Sequence, residues 1–304
     1  MPKFKLLSDS SFDLPMPIST DHNIGIISAN IVGDGETMSR FDLSLDDFYA
    51  HLGTENSLKP HVPSAEVFRV AFDLALREAE DVIVITQFAS FSRMFSVAQQ
   101  VAMKEFQDNI TVIDSQNLSI GHAAIVYAAA ELITKRGMSK VELLSRIKND
   151  LIPHTHFLGS LYSLPFLRAH DYLSGFTFFF WRLFRIRPLL YFQQGKLVMP
   201  SHYRGKNTTY DILTHLPPFL TEFMTSNKVF ITHVQAKHRA HQLADLFEDC
   251  SPSPAKVLVV PSGPFLSSLV GKGFVGFSYI GSFDFSMIKK AEELLKKGQS
   301  KQKE

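Results

Sequence analysis

"ITVIDSQNLSIGHAAIVYAAAELITKRG", residues 110–137, carries in one stretch the signals that decide the fold. A short β-rich run, 110–114, gives way to small polar residues. A long apolar run with helical character follows and stops at Gly137, where glycine frees the backbone to leave a helix. Working outward, the same rhythm recurs. "FKLLS" (4–8), "GIISANIV" (25–32) and "VIVIT" (82–86) read as strands. "SLDDFYAHL" (44–52) has Ser44 and Asp47 at capping-box spacing, so a helix starts there. "SAEVFRVAFDLALREAE" (64–80), with Ser64 as its N-cap, and "SVAQQVAMKEF" (96–106) read as further helices. Strands alternating with helices predict an α/β fold, with a mostly parallel sheet flanked by helices.

"SKVELLSRIKNDLIP" (139–153) opens on a second capping box, Ser139 to Glu142, and stops before Pro153. A domain boundary is expected there, giving an N-terminal domain over 1–152 and a C-terminal domain over 153–285. The second half has a different rhythm. "FLGSL" (157–161) is a strand, and short helices run on to residue 184. "IRPLLYFQQGKLVMPSHYR" (186–204) reads as a hairpin around a Gln-Gly turn. A helix over 207–225, the strand "KVFITHV", the helix "HRAHQLADLFED" and the strands "KVLVV" and "FVGFSYI" complete a mixed α+β domain. Residues 286–304 read as a charged helix running into a solvated tail.

Composition sets the class. With 304 residues, 45% apolar and 20% charged, the chain is long enough for two domains and apolar enough to fold. Its 31 basic and 30 acidic residues nearly cancel, which argues against nucleic-acid binding. Cys250 is the single cysteine, so neither an intrachain disulfide nor a cysteine zinc site is available. The first apolar run is too short for a signal peptide, and no run approaches the ~20 apolar residues of a membrane span. A soluble, cytoplasmic protein is the expectation. The 27 phenylalanines demand a large hidden apolar surface.

Ligands of open α/β sheets bind beyond the carboxyl ends of the strands. Four loops there carry hydroxyls: "SDSSFDLP", "TQFASFSRMFS", "DSQNLSIGH" and "PSGPFLSS", which nominate Ser10, Ser92, Ser115 and Ser262. Hydroxyls and N–H groups at helix starts suit an anionic head group; each serine is equally suited to capping the helix behind it. "HTH" (154–156) and "HRAH" (238–241) lack a third ligand at metal spacing and read as surface histidines. Ser92, Asp114 and His122 supply the residue types of a hydrolytic triad, but no G-x-S-x-G elbow surrounds Ser92. Neither a P-loop nor a Rossmann glycine fingerprint is present.

Taken in order, these motifs resemble the DegV family. "LLSDSSFDLP" is similar to its D-S-x-x-D-L-P opening through Asp9, Ser10, Asp13, Leu14 and Pro15. "LSLDDFYAHL" resembles its F-Y helix start, and "VIDSQNLSIGH" its D-S-x-x-x-S-x-G stretch through Asp114, Ser115, Ser119 and Gly121. "FRIRPLLYFQQGKL" is similar to its hairpin, with Arg187 in place of a lysine, and "HYRGK" to the basic turn that follows. "ITHVQAKHRAHQLADLF" resembles a later strand and helix, so the likeness runs from about residue 4 to 280. The resemblance implies a two-domain fold that holds a fatty acid in a tunnel between its domains, with no chemistry and no cofactor of its own. Several members serve as the binding subunit of a bacterial fatty-acid kinase, which implies Arg204 and Lys206 as a partner contact.

Carried over by position, the family's head-group serine falls on Ser92. Its carboxylate-binding threonine is replaced by Pro60 and its histidine by Pro261, and "HDYL" (170–173) lacks an arginine that kinase-type members present. A buried carboxylate without donors is costly. His61 stands beside Pro60, and Arg93 replaces the family's glycine directly after Ser92; both are candidates to compensate, although Arg93 at a helix start equally suits solvent. Otherwise the ligand differs: an ester, an alcohol, an isoprenoid or a larger lipid that needs no carboxylate clamp. An acyl-processing enzyme acting through Ser92 is the alternative function.

"SGFTFFFWRLFRIRPLLYF" (174–192) concentrates six phenylalanines and the only tryptophan. Residues 176–186 read as one helix, apolar nearly all round and therefore buried. Two readings stand: a plain core helix, or a tunnel wall that includes Phe179 and Phe184. In the second, Arg182 and Arg185 form a basic rim able to meet anionic lipid heads in a transient membrane contact.

Overall fold

The structure, a computed structural model, describes residues 2–33, 36–54, 58–135, 137–169, 171–205, 207–251 and 255–301. The chain divides into two compact units. The first comprises Met1–Pro153 with two pieces of later chain, Gln194–Lys196 and Gly263–Leu266, and the second comprises the remainder.

The first unit begins with β1 (Phe4–Asp9), α1 (Met16–Asp21), β2 (Ile24–Ile27), β3 (Asn30–Gly33) and β4 (Glu36–Ser39). It continues with α2 (Leu45–His51), β5 (Lys59–His61), α3 (Ala65–Leu76), β6 (Asp81–Thr86) and α4 (Met94–Val101). β7 (Ile110–Asp114), α5 (Ser119–Thr134) and α6 (Lys140–Ser145) complete it. β2, β1, β6 and β7 form a parallel sheet in that order, with Leu6 opposite Ile24 and Ile83, and Val84 opposite Val112. Val82, Ile83, Val84 and Ile85 are all fully buried, the unbroken apolar run of a strand covered on both faces. The capping serines act as the sequence predicts: Ser44 Oγ accepts from the Asp47 N–H at 3.1 Å and Ser139 Oγ from the Glu142 N–H at 3.2 Å. Ser64 occupies the N-cap of α3, but its hydroxyl makes no capping bond.

Two readings of this half need correction. Residues 25–32 are not one strand. β2 ends at Ile27, where the Ile27 carbonyl accepts from the Ser10 N–H at 3.0 Å and the Ala29 N–H donates to Ser10 Oγ at 2.9 Å. The chain then enters a separate antiparallel sheet, ordered β4-β3-β5. The helix read over 96–106 starts earlier, at Met94, and after Val101 widens into a π-helical turn over Ala102–Phe106.

The second unit begins with β8 (Thr155–Ser160), α7 (Pro165–Ala169), α8 (Gly175–Leu183), β9 (Ile186–Gln193) and β10 (Lys196–Arg204). Next come α9 (Thr208–Thr214), α10 (Pro217–Leu220), β11 (Lys228–His233) and α11 (Lys237–Cys250). β12 (Lys256–Pro261), α12 (Pro264–Val270), β13 (Val275–Ile280) and α13 (Ser286–Lys301) close the chain. The six-stranded sheet runs β10-β9-β8-β13-β11-β12; β11 and β12 are parallel, and β11, β13, β8 and β9 pair antiparallel in turn. The β9–β10 hairpin turns on Gln194 and Gly195, with φ 49° and 69°, two successive left-handed residues that match strand twist. One sheet face carries Leu158, Tyr191, Ile231, Phe277 and Tyr279 into a core closed by Leu213, Leu243 and Phe247.

Here too the structure departs from the sequence reading. The helix read over 207–225 is broken, because Pro217 has no N–H to continue α9 and starts a new turn instead. The tail read as solvated is helical to Lys301, and Met287, Ile288 and Ala291 of α13 belong to the core. The aromatic helix ends at Leu183, since Arg185 takes φ 53° and Ile186 already lies in β9. No residue of α8 is buried, so the expectation of an enclosed helix is overturned.

Candidate functional site

Three loops meet at the carboxyl edge of the parallel sheet, after β1, β6 and β7, and hydrogen bonds stitch them together. Asp9 is buried and joins the first loop to the second. Its Oδ1 accepts from the Ser11 N–H at 3.0 Å and from the Ser11 hydroxyl, while its Oδ2 accepts from the Gln87 N–H at 2.8 Å. The Phe88 N–H donates to the Asn117 carbonyl at 3.0 Å, joining the second loop to the third.

Most of the nominated hydroxyls are committed to this architecture. Ser10 ties β1 to the chain leaving β2, as above. Ser115 Oγ accepts from the Asn117 N–H at 3.2 Å and donates to the Asn117 carbonyl at 3.1 Å, closing a tight turn. Ser92 is half-buried, and its Oγ accepts from the Met94 N–H at 3.3 Å. Arg93 is the N-cap residue of α4 and is exposed. His61 is exposed at the end of β5, in the small antiparallel sheet, with Pro60 half-buried beside it. Ser10, Ser92 and Ser115 thus share the carboxyl edge, and His61 lies on a different sheet.

The remaining nominated residues lie in the second unit. Ser262 is buried after β12; its N–H donates to the His233 carbonyl at 2.9 Å, and Pro261 before it is exposed. Phe179 is 60% and Phe184 47% exposed, so neither lines an enclosed wall. Arg204 is exposed at the end of β10, and Lys206 lies outside the described residues. A groove of about 490 Å³ runs between β10 and α13, lined by Val198, Pro200, Phe285 and Glu292 among others. None of the nominated residues lines it.

The triad residues do not assemble. His122 is fully buried: its Nε2 lies 3.1 Å from Ser8 Oγ and 3.2 Å from the Ile85 carbonyl, and its Nδ1 3.4 Å from Ser11 Oγ. Burial lowers its pKa, against the opposing pull of Asp9. Asp114 Oδ1 accepts instead from the N–H groups of Ala89, at 3.2 Å, and Gln116, at 2.8 Å. No hydrogen bond joins Ser92 to His122 among the described residues. "HTH" also needs correction, because His156 is a core histidine. Its Nδ1 is 2.7 Å from the Tyr191 hydroxyl and its Nε2 3.1 Å from the Gly281 carbonyl, and burial holds its pKa down at about 4. Among the described residues no group of three His, Cys, Asp or Glu side chains is placed to hold a metal.

Two polar residues at this edge are not among the nominated site residues: Asp13, quoted above only as part of the opening motif, and Gln87. Asp13 is half-buried by its surface exposure, with its pKa pushed up to about 6 because desolvation outweighs hydrogen bonds from Ser119 and the Gly263 N–H and the charge of Arg40. Asp13, Gln116 and Ser119 all have positive φ, 52° to 53°, strain of the kind that concentrates at functional loops. Gln87 follows β6 directly and is also fully buried. The one sequence signal for it is a lone amide ending an apolar strand.

These features define the class: an α/β protein with a parallel sheet and its hydroxyl-rich carboxyl edge in one unit and a mixed sheet in the other. The DegV family model, which describes uncharacterised proteins, matches residues 3–282, and the chain belongs to the DegV family. A DegV domain-containing protein of Staphylococcus aureus strain MRSA252 is 22% identical over 280 residues, 91% of this chain and 98% of that one. One from Deinococcus radiodurans is 27% identical over 210 residues, 66% of this chain and 73% of that one. Among solved structures, a fatty-acid-binding DegV family protein from Thermus thermophilus has a TM-score of 0.78 at 21% identity, covering 92% of this chain and 100% of that chain. DegV from Bacillus subtilis, a fatty acid binding protein, has a TM-score of 0.78 at 18% identity, covering 93% and 100%. The two-part α/β architecture read from the sequence is the architecture of these proteins.

Proposed function

We propose that the protein binds a long-chain fatty acid or related lipid and carries or presents it without chemistry of its own. The observation that carries this reading is the outward face of α8. Phe176, Phe179, Phe180, Leu183 and the adjoining Phe184 are all exposed, at positions i, i+3, i+4, i+7 and i+8 of one stripe. Phe180 packs on both sides, its ring centroid 4.5 Å from that of Phe176 and 6.1 Å from that of Phe184. A helical stripe so placed normally faces a core, and held in water it costs roughly 25 cal/mol for each Å² left uncovered. Exposed Arg182 and Arg185 border it, which fits the headgroup layer of an anionic membrane. A carrier that collects its lipid from a membrane needs such a surface; an enzyme acting on soluble substrates does not. The fatty-acid-binding relatives from Thermus thermophilus and Bacillus subtilis support the same ligand class.

The acyl-processing alternative is weaker on two counts. The Ser92 hydroxyl accepts a backbone N–H, and both nitrogens of His122 are engaged inside the core. Delivery to a kinase subunit remains the partner reading, with Arg204, which is exposed, and Lys206 in sequence beyond it as the contact. In this scheme 1–152 and 153–285 act as two domains, in the cytoplasm.

Purified protein subjected to native mass spectrometry, with solvent extraction and lipid analysis, tests the reading. A long-chain fatty acid or related lipid bound one to one is expected. Protein that carries no lipid and takes up none when lipids are added would sink it.

A further inference from the structure

Gln87 is fully buried, and among the described residues neither its Nε2 nor its Oε1 has a hydrogen-bond partner. The backbone on either side is fixed: the Gln87 N–H is held by Asp9 Oδ2 at 2.8 Å, and the next N–H, of Phe88, by the Asn117 carbonyl. The amide therefore sits at a defined place, directly after β6 at the carboxyl edge of a parallel sheet, where ligands of such sheets bind. A buried amide with both hydrogen bonds unmade is a standing cost, and native proteins keep such groups chiefly where something else is meant to meet them.

Resting on the lipid-binding reading above, we propose that Gln87 is a head-group residue and that it selects a neutral head group carrying a donor and an acceptor side by side: a protonated carboxyl or a primary carboxamide. Either forms a two-bond ring with the glutamine amide, its carbonyl accepting from Nε2–H and its O–H or N–H donating to Oε1. A carboxylate matches only half of this. It would satisfy Nε2 and set a negative oxygen against Oε1. The surrounding charge opposes an anion as well. Asp9 from β1, Asp13 from the loop behind it and Asp114 from β7 lie at this edge, against Arg40 and a His122 that burial disfavours charging. A further anion there meets like charge, which favours its neutral form.

Binding of oleic acid, oleamide, methyl oleate and oleyl alcohol to the full chain, measured for the wild type and for Gln87→Met and Gln87→Asn, provides the test. Methionine keeps the volume and removes the amide, and unfolding curves check that each variant is folded. The wild type is expected to hold oleamide about tenfold more tightly than methyl oleate, which lacks the donor. Gln87→Met should erase that difference. The carboxyl ¹³C resonance of labelled oleic acid bound to the wild type at pH 7 gives a second readout independent of any variant, and should be that of the neutral acid. Equal affinity of the wild type for oleamide and methyl oleate, an unchanged ranking in Gln87→Met, or a carboxylate resonance would each overturn the proposal while leaving lipid binding intact. Uptake of none of the four lipids would overturn the lipid-binding reading itself and this proposal with it.

Discussion

Ser119 donates its hydroxyl to Oδ2 of Asp13 at 2.5 Å, across 106 residues of chain and with both backbones in the left-handed region. The pair fixes the loop after β1 to the start of α5. Asp13 also accepts from the Gly263 N–H, in one of the pieces of later chain that belong to the first unit.

This linkage has a pH signature. Burial lifts the Asp13 carboxyl from 3.8 to about 6, so the folded protein holds this proton more tightly than the unfolded chain. The stabilisation is complete below about pH 4 and is lost as pH rises through about 6; it amounts to roughly 3 kcal/mol. Asp13→Asn has no proton to lose and tolerates positive φ. The difference in unfolding free energy between wild type and variant should shift in the variant's favour from pH 4 to pH 7. A difference that stays constant across that range contradicts the assignment.

Gly159 and Gly276 face each other on β8 and β13, and the ring of Phe274 fills the hollow they leave. A Cβ on Gly159 would stand 2.3 Å from Phe274 Cζ, and Phe274 is fully buried against Phe157, ring centroids 6.3 Å apart at 85°. Gly159→Ala is therefore expected to lower the unfolding free energy by about 1–3 kcal/mol through overpacking. Phe274→Leu in the same chain should recover part of the loss, which would distinguish a clash with this ring from a general strand effect. Calorimetric unfolding of both single variants and the double variant measures the coupling.

The architecture was legible because its signals are local. β6 is an unbroken apolar run, Ser44 and Ser139 cap by their own sequence neighbours, and the β9–β10 turn follows from Gln194-Gly195. The small β4-β3-β5 sheet was not legible, because the break after Ile27 is set by Ser10, distant in sequence. Ser10 and Ser115 read from sequence as ligand groups; the structure adds that their hydroxyls bond backbone groups of these loops, partners chosen by tertiary contacts that the sequence does not display. Gln87 was missed for the converse reason, since an unpartnered amide becomes visible only when its surroundings are known. The aromatic helix was misread by a sound rule: apolar residues around a helix argue burial. α8 breaks that rule, which is what makes its surface informative about function.

That surface gives the last prediction. The triple variant Phe176→Ser, Phe179→Ser, Leu183→Ser removes side chains that are 73%, 60% and 61% exposed, so its unfolding free energy should stay within about 0.5 kcal/mol of the wild type. Binding to vesicles of mixed neutral and anionic phospholipid, measured by flotation, should nevertheless be lost. Arg182→Glu with Arg185→Glu should abolish the preference for anionic vesicles and the sensitivity to salt, because arginines at a wet rim act through a screened field. Ser174→Ala is a gentler probe. Ser174 Oγ accepts from the Thr177 N–H at 3.1 Å and caps α8, so its loss should cost about 1 kcal/mol locally and weaken vesicle binding without changing its charge dependence. Wild-type protein that does not float with vesicles, or a triple variant that floats equally well, would show that the stripe serves some purpose other than meeting a lipid surface.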